Sequence, residues 1–152
     1  MDNTWEVLTS LKTAKIGPGL WILLEDMEFN TSRGLFVVPA GFITDMASVP
    51  RALTWLVPPT KSEIAEASVL HDWFYSKNSI QVTRAFADRC LKEIMISRGA
   101  TRKLGNIAYS GVRIGGTKHY RKDYDTKKLN KAYPEYQMCT KGILEQIFIH
   151  KD

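Results

Sequence analysis

The chain has 152 residues, 44% of them hydrophobic, with a formal net charge of +5 and a sequence pI of about 9.2. That length favours one domain with a real core, and the apolar fraction excludes a disordered chain. The mild basic excess favours anionic surfaces without singling out nucleic acid.

The opening Met1-Asp2-Asn3-Thr4-Trp5 is acidic and polar, unlike a signal peptide. Residues 1–58 read as β-rich. Leu20-Trp21-Ile22-Leu23-Leu24 is a short apolar run after the breaker Gly17-Pro18-Gly19. Asn30 to Gly34 is turn-rich, and Leu35-Phe36-Val37-Val38 is β-branched and aromatic. Two or three antiparallel strands are expected. The segment Pro39 to Arg51 carries two prolines and a glycine, and its apolar content predicts an ordered loop packed across the core. Val57-Pro58-Pro59-Thr60 closes this region.

Residues 61–117 read as helical. Ser62 suits an N-cap, with Glu63 and Glu66 near the positive end of the helix dipole. Ile64, Ala67, Ser68, His71, Phe74 and Tyr75 share one face at 3.6 spacing. A second helix is expected from about Thr83 to Arg98, stopped by Gly99, with Ala87, Asp88, Leu91, Ile94 and Met95 inward. A third fits Thr101 to about Gly115. Its stripe is Leu104, Ile107, Ala108, Gly111 and Ile114, whose small members invite close approach of another element. Residues 118–152 form a basic tail, with Lys118, Arg121 and Lys122 close together, and a final amphipathic segment from Ile143 to Ile149 that suits either a strand or a short helix.

The expected fold is therefore α+β in a single domain, 1–152. A small N-terminal antiparallel sheet packs against a three-helix core, and an antiparallel helical hairpin carries the His-Asp motif. Cys90 and Cys139 stand far apart with no CxxC pair, against a disulfide framework or a zinc site. No apolar run approaches the ~18 to 20 residues needed to span a bilayer. There is no P-loop, GxSxG elbow or HExxH motif.

Chemistry concentrates on the hairpin. His71 and Asp88 each lie about five residues from the connecting turn, or ~7.5 Å along the helix axis. In an antiparallel pair they stand at one height. A carboxylate there would fix the imidazole tautomer and make His71 a general base toward water. Tyr75, one turn from His71, is placed to donate to Asp88. Asp72, about 100° around the helix from His71, and Asp45, in the preceding loop, are candidate ligands for a hard cation such as calcium. Lys118, Arg121 and Lys122 are candidates for contact with nucleic acid or a peripheral anionic surface. Plainer readings stand beside these. A buried His–Asp pair can simply clamp two helices, Asp45 suits an Asx turn, and the lysines suit a solvated face.

Two resemblances follow from these residues. Val38-Pro39-Ala40-Gly41-Phe42-Ile43-Thr44-Asp45-Met46-Ala47-Ser48-Val49-Pro50-Arg51, with Val69-Leu70-His71-Asp72-Trp73-Phe74-Tyr75 and Ala87-Asp88, resembles an uncharacterised family of small proteins of tailed bacteriophages and prophages. The likeness covers roughly residues 20 to 117. It implies a phage origin, expression in a bacterial host, other phage proteins as partners, and a place in the host cytoplasm or the virion. More weakly, His-Asp-x-x-Tyr followed by Ala-Asp is similar to the active-site helices of phospholipase A2 enzymes, especially the viral-capsid type. By position that likeness implies that His71 activates water, Asp72 binds calcium and Asp88 orients His71. The chain departs from that family before the His helix, where Gly41 to Asp45 holds one glycine in place of a glycine-rich calcium loop.

Three functions remain open at this level. One is a His/Asp hydrolase acting on an envelope ester or amide, which requires His71 to touch Asp88 in a cleft. Another is a non-enzymatic virion neck, tail or accessory component, which predicts an enclosed His71. The third is a host-takeover protein binding nucleic acid through the third helix and tail.

Overall fold

The computed structural model describes residues 5–31, 34–46, 62–76, 82–118 and 120–121. Six short strands come first: β1 (Glu6–Val7), β2 (Thr13–Gly17), β3 (Leu20–Leu23), β4 (Met27–Thr31), β5 (Gly34–Val38) and β6 (Ile43–Thr44). Three helices follow, α1 (Ser62–Tyr75), α2 (Arg84–Ser97) and α3 (Arg102–Gly115), the last running into a 3-10 turn at Gly116–Lys118. The fold is α+β, with the strands ahead of the helices.

The strands form two three-stranded antiparallel sheets, β1-β4-β5 and β2-β3-β6, where a single sheet was expected. The chain changes sheet at Leu24-Glu25-Asp26, between β3 and β4. The Leu24 N–H still donates to Lys12 O at 2.9 Å, and polar contacts hold the rest of the corner. The Asp26 carboxylate accepts from the Ala40 N–H at 2.7 Å, and the Thr9 hydroxyl accepts from the Glu28 N–H at 3.0 Å. Asn30 and Thr31, which locally suggest a turn, lie in β4. Cross-strand pairing of Asn30 with Leu35 and Thr31 with Gly34 overrides that preference. The alternation is regular: Met27 and Phe29 are buried, while Glu28 is half-buried and Asn30 exposed.

The segment from Pro39 is ordered as expected, but it contains β6. Trp21 pairs with Thr44 and Ile22 with Ile43. Gly41 makes the entry turn with φ 89°, a region glycine occupies without strain, and its N–H donates to Leu23 O at 2.8 Å. This pairing delivers Thr44 to the flank of α1. The rest of that segment, Val57 to Thr60, Lys122 and the Ile143 to Ile149 segment lie outside the described residues.

Helix α1 departs from a simple one-faced helix. Every residue from Ile64 to Leu70 is buried, because α1 lies between the strands and α2. Glu66, 6% exposed, accordingly pairs with Arg98, whose Nε and NH2 reach its two oxygens at 2.8 and 3.3 Å. A bidentate charge-assisted contact of this kind is what a buried carboxylate needs. Helices α2 and α3 are capped by the hydroxyls of Thr83 and Thr101, which accept from the N–H groups of Phe86 and Leu104 at 3.2 Å each. Gly99, at φ 104°, ends the α2 turn.

The inward stripe of α3 is rotated from the expected one. Gly105, Ala108 and Val112 are buried, and Ile114 is 85% exposed. Gly105 sets the angle. A β-carbon there would sit 3.0 Å from the Ile96 side chain, so any larger residue would require Ile96 to shift by a few tenths of an ångström.

Aromatic rings tie the layers together. Phe36 of β5 meets Phe74 of α1 edge-on at 5.3 Å, and Phe74 meets Phe86 of α2 at 5.8 Å. Truncating Phe74 to Ala removes this joint, so urea unfolding should show a loss of about 3–5 kcal/mol. A loss below about 1 kcal/mol would show that the sheets do not depend on it.

Candidate active site

The antiparallel hairpin of α1 and α2 brings His71 and Asp88 into direct contact, with Nε2 2.8 Å from Oδ1. The equal spacing of the two residues from the connecting turn is what aligns them. Tyr75, one turn along α1, donates its hydroxyl to the same oxygen at 2.5 Å, and its ring lies 4.2 Å from the His71 ring. His71 is 3% exposed and Asp88 0%. The other Asp88 oxygen, Oδ2, accepts from Arg113 NH1 of α3 at 2.9 Å. Arg84 NH1 stands 4.0 Å from Oδ2 while donating to the carbonyls of Val112 and Arg113 at 3.3 and 3.1 Å.

The electrostatics follow from this geometry. Burial opposes the Asp88 charge, but hydrogen bonds from His71, Tyr75 and Arg113 outweigh it and hold the carboxyl below its ordinary range. Burial likewise opposes charge on His71. Here it wins over the attraction of Asp88, so the imidazole pKa falls below 6.5. Burial, and then Asp88, push the Tyr75 phenol up, so it stays a donor. An ionised carboxylate can only accept, so Nε2 of the neutral imidazole carries the hydrogen and Nδ1 holds the basic lone pair.

The remaining expected residues are arranged differently. Asp72 Oδ2 accepts from the hydroxyl of buried Thr44 at 2.6 Å, and that hydroxyl accepts from Met46 N–H at 3.1 Å. Met46 sits at φ 53°, held in the left-handed region by this contact and by burial of its side chain. Asp45, between these residues, is close enough to His71 for its charge to favour the imidazolium. A calcium ion takes six to eight oxygens. Among the described residues no group of three or more His, Cys, Asp or Glu side chains is placed to hold a metal, and one Asp72 oxygen is engaged by Thr44.

Of the three basic candidates, Lys118 is exposed. Arg121 is half-buried, its N–H donating to Tyr75 O at 2.6 Å and its guanidinium lying 5.0 Å from the Tyr120 ring. Tyr120 in turn meets Tyr75 edge-on and donates to Val82 O at 2.6 Å. Tyr120 and Arg121 therefore lie against the end of α1 and the residue Val82 before α2. No helix among the described residues is long and apolar enough to cross a membrane.

Arg84, Arg113, Thr44 and Gly116 belong to the site without having been expected there. Arg84 was legible, four residues before Asp88 on one helix face. Arg113 and Thr44 come from separate elements and have no local signal. Gly116 packs so tightly that a β-carbon would meet the Tyr75 hydroxyl at 2.6 Å.

Two measurements test this cluster. Gly116→Ala should displace the phenol and cost about 1–3 kcal/mol in urea unfolding. The cost should shrink by about 1 kcal/mol in a Tyr75→Phe background, since the phenylalanine lacks the obstructing oxygen. Equal costs in both backgrounds would refute the contact. For His71 the sign is set by its depressed folded pKa. The unfolded chain takes up a proton first as pH falls below 6.5, so stability present above that pH declines below it. Urea midpoints at pH 7.5 and 5.0 should diverge in the wild type more than in His71→Gln. An identical pH response would mean that His71 is not buried in its neutral form.

A family model described as "Protein of unknown function (DUF1353)" matches residues 21–112, more than half of the chain. The matched span contains Thr44, His71, Asp72, Tyr75, Arg84 and Asp88, and stops one residue short of Arg113. No curated protein and no solved structure matches the chain. On the extent of that match, the chain belongs to the DUF1353 family.

Proposed function

We propose that this is a small bacteriophage hydrolase in which His71 activates water for attack on an ester or amide of the bacterial envelope. One observation carries the reading: a neutral imidazole whose Nε2–H is fixed on a buried carboxylate, with that carboxylate itself held by Tyr75 and Arg113. Such a pair does what base catalysis requires. The imidazole takes a proton from water as the water oxygen bonds to the substrate carbonyl carbon. Asp88 stabilises the imidazolium that forms, and His71 then returns the proton to the leaving oxygen or nitrogen. The resemblance of His71, Asp72, Tyr75 and Asp88 to phospholipase A2 helices points to a lipid ester. The resemblance of these motifs to a phage family supports a setting in the host cytoplasm or the virion, among other phage proteins.

A second reading has its own support. His71 is 3% exposed, which suits a polar clamp between α1 and α2 in a non-enzymatic neck, tail or accessory component. Release of fatty acid from phospholipid vesicles separates the two. Under the hydrolytic reading His71→Gln lowers the rate by about 10²- to 10⁴-fold while the fold persists. A wild-type rate that rises with added calcium and falls with chelator would bring in Asp72 and Asp45 as cation ligands. Equal rates in wild type and variant would end the catalytic reading and leave the clamp.

A further inference from the structure

From Ile94 to Lys122 the chain carries seven of its 21 Lys and Arg residues and none of its 16 Asp and Glu residues. The remainder, with fourteen basic and sixteen acidic residues, is slightly acidic. Of the basic residues in that stretch, Arg98 and Arg113 are paired with Glu66 and Asp88, which leaves Arg102, Lys103 and Lys118 as the exposed cations of α3 and its 3-10 turn. Gly105, Ala108 and Val112 turn inward. At about 100° per residue the opposite arc takes Arg102, Lys103, Asn106, Ser110 and Ile114, all exposed, and Lys118 extends it into the 3-10 turn. Within this cationic arc Ile114 stands 85% exposed.

We infer that the outward face of α3 docks the protein on an anionic lipid surface. Arg102, Lys103 and Lys118 meet the phosphates, and Ile114 enters the boundary between headgroups and acyl chains. Exposed cations at both ends of the face, with one exposed aliphatic side chain between them, suit attachment by charge with a single apolar anchor. Each basic side chain near such a surface is worth about fivefold in affinity. Ile114 also decides between lipid and nucleic acid. On a bilayer an exposed aliphatic side chain gains wherever the helix lands, whereas on duplex DNA it gains only where it meets a thymine methyl or wedges into a base step, so Ile114 favours lipid. Arg113, beside Ile114, reaches Asp88, so the docked face adjoins the His71 site. The inference is independent of turnover, because binding is read without hydrolysis.

The test is co-sedimentation of the full chain with vesicles of phosphatidylcholine alone and of phosphatidylcholine mixed with phosphatidylglycerol. Duplex DNA serves as a second anion, with all arms at moderate salt. Wild type is expected to bind the anionic vesicles at least tenfold more tightly than the neutral ones. Charge reversal of Arg102 and Lys103 together lowers that affinity at least tenfold. Ile114→Ser lowers it several-fold, with the salt dependence and any DNA binding unchanged. All three side chains are exposed, so urea midpoints should match wild type and exclude misfolding as the cause. The inference is overturned by absence of vesicle binding, by equal affinity for neutral and anionic vesicles, or by an Ile114→Ser variant that binds vesicles like wild type. Tighter binding to DNA, lost on the same charge reversal, would overturn it in favour of a nucleic-acid surface.

Discussion

A carboxylate with no solvent exposure lies where all three helices meet, and its charge has to be compensated from within the protein. Asp88 on α2 accepts from His71 and Tyr75 of α1 through one oxygen and from Arg113 of α3 through the other. An unpaired charge in that position would cost several kcal/mol. Asp88 therefore constrains the rotation of α1 and α3 about α2 alongside apolar packing. Gly105 and Gly116 meet the same constraint sterically: one lets α3 approach Ile96, the other leaves room for the Tyr75 hydroxyl.

The sheets serve this helical arrangement in two ways. The β1-β4-β5 sheet supplies Phe29, Phe36 and Val38 to the apolar side of α1 and, through the aromatic contacts of Phe36, joins α2 as well. The β2-β3-β6 sheet ends in Thr44, which bonds to Asp72 next to His71. The two neighbouring motif residues thus face different partners. His71 turns into the helical hairpin, and Asp72 ties that hairpin to the strands.

The site combines a reactive pattern with strong enclosure. Burial lowers the basicity of His71 but keeps it neutral, and a neutral ring is the form that can accept a proton. The same burial limits approach of a large substrate. The tension between these effects makes His71→Gln informative, since loss of stability and loss of turnover are separately measurable.

Much of the helical half was legible in the chain. The periodicities and the Thr83, Thr101 and Gly99 boundaries locate α2 and α3 to within a residue, and the distances of His71 and Asp88 from one turn locate their contact. Those signals are local and repeat at 3.6 residues. Four of the six strands were not legible. β1 and β6 have two residues each, and their hydrogen bonds come from strands distant in sequence. The placing of Arg113 on Asp88, Thr44 on Asp72 and Ile114 in solvent was settled only in three dimensions. Each depends on the angle at which one element crosses another, and that angle is set by close contacts such as Gly105 against Ile96. The amino-acid order by itself determined the helical hairpin and its His–Asp pair. Tertiary packing decided which charges neutralise that pair and which face of α3 is left to solvent.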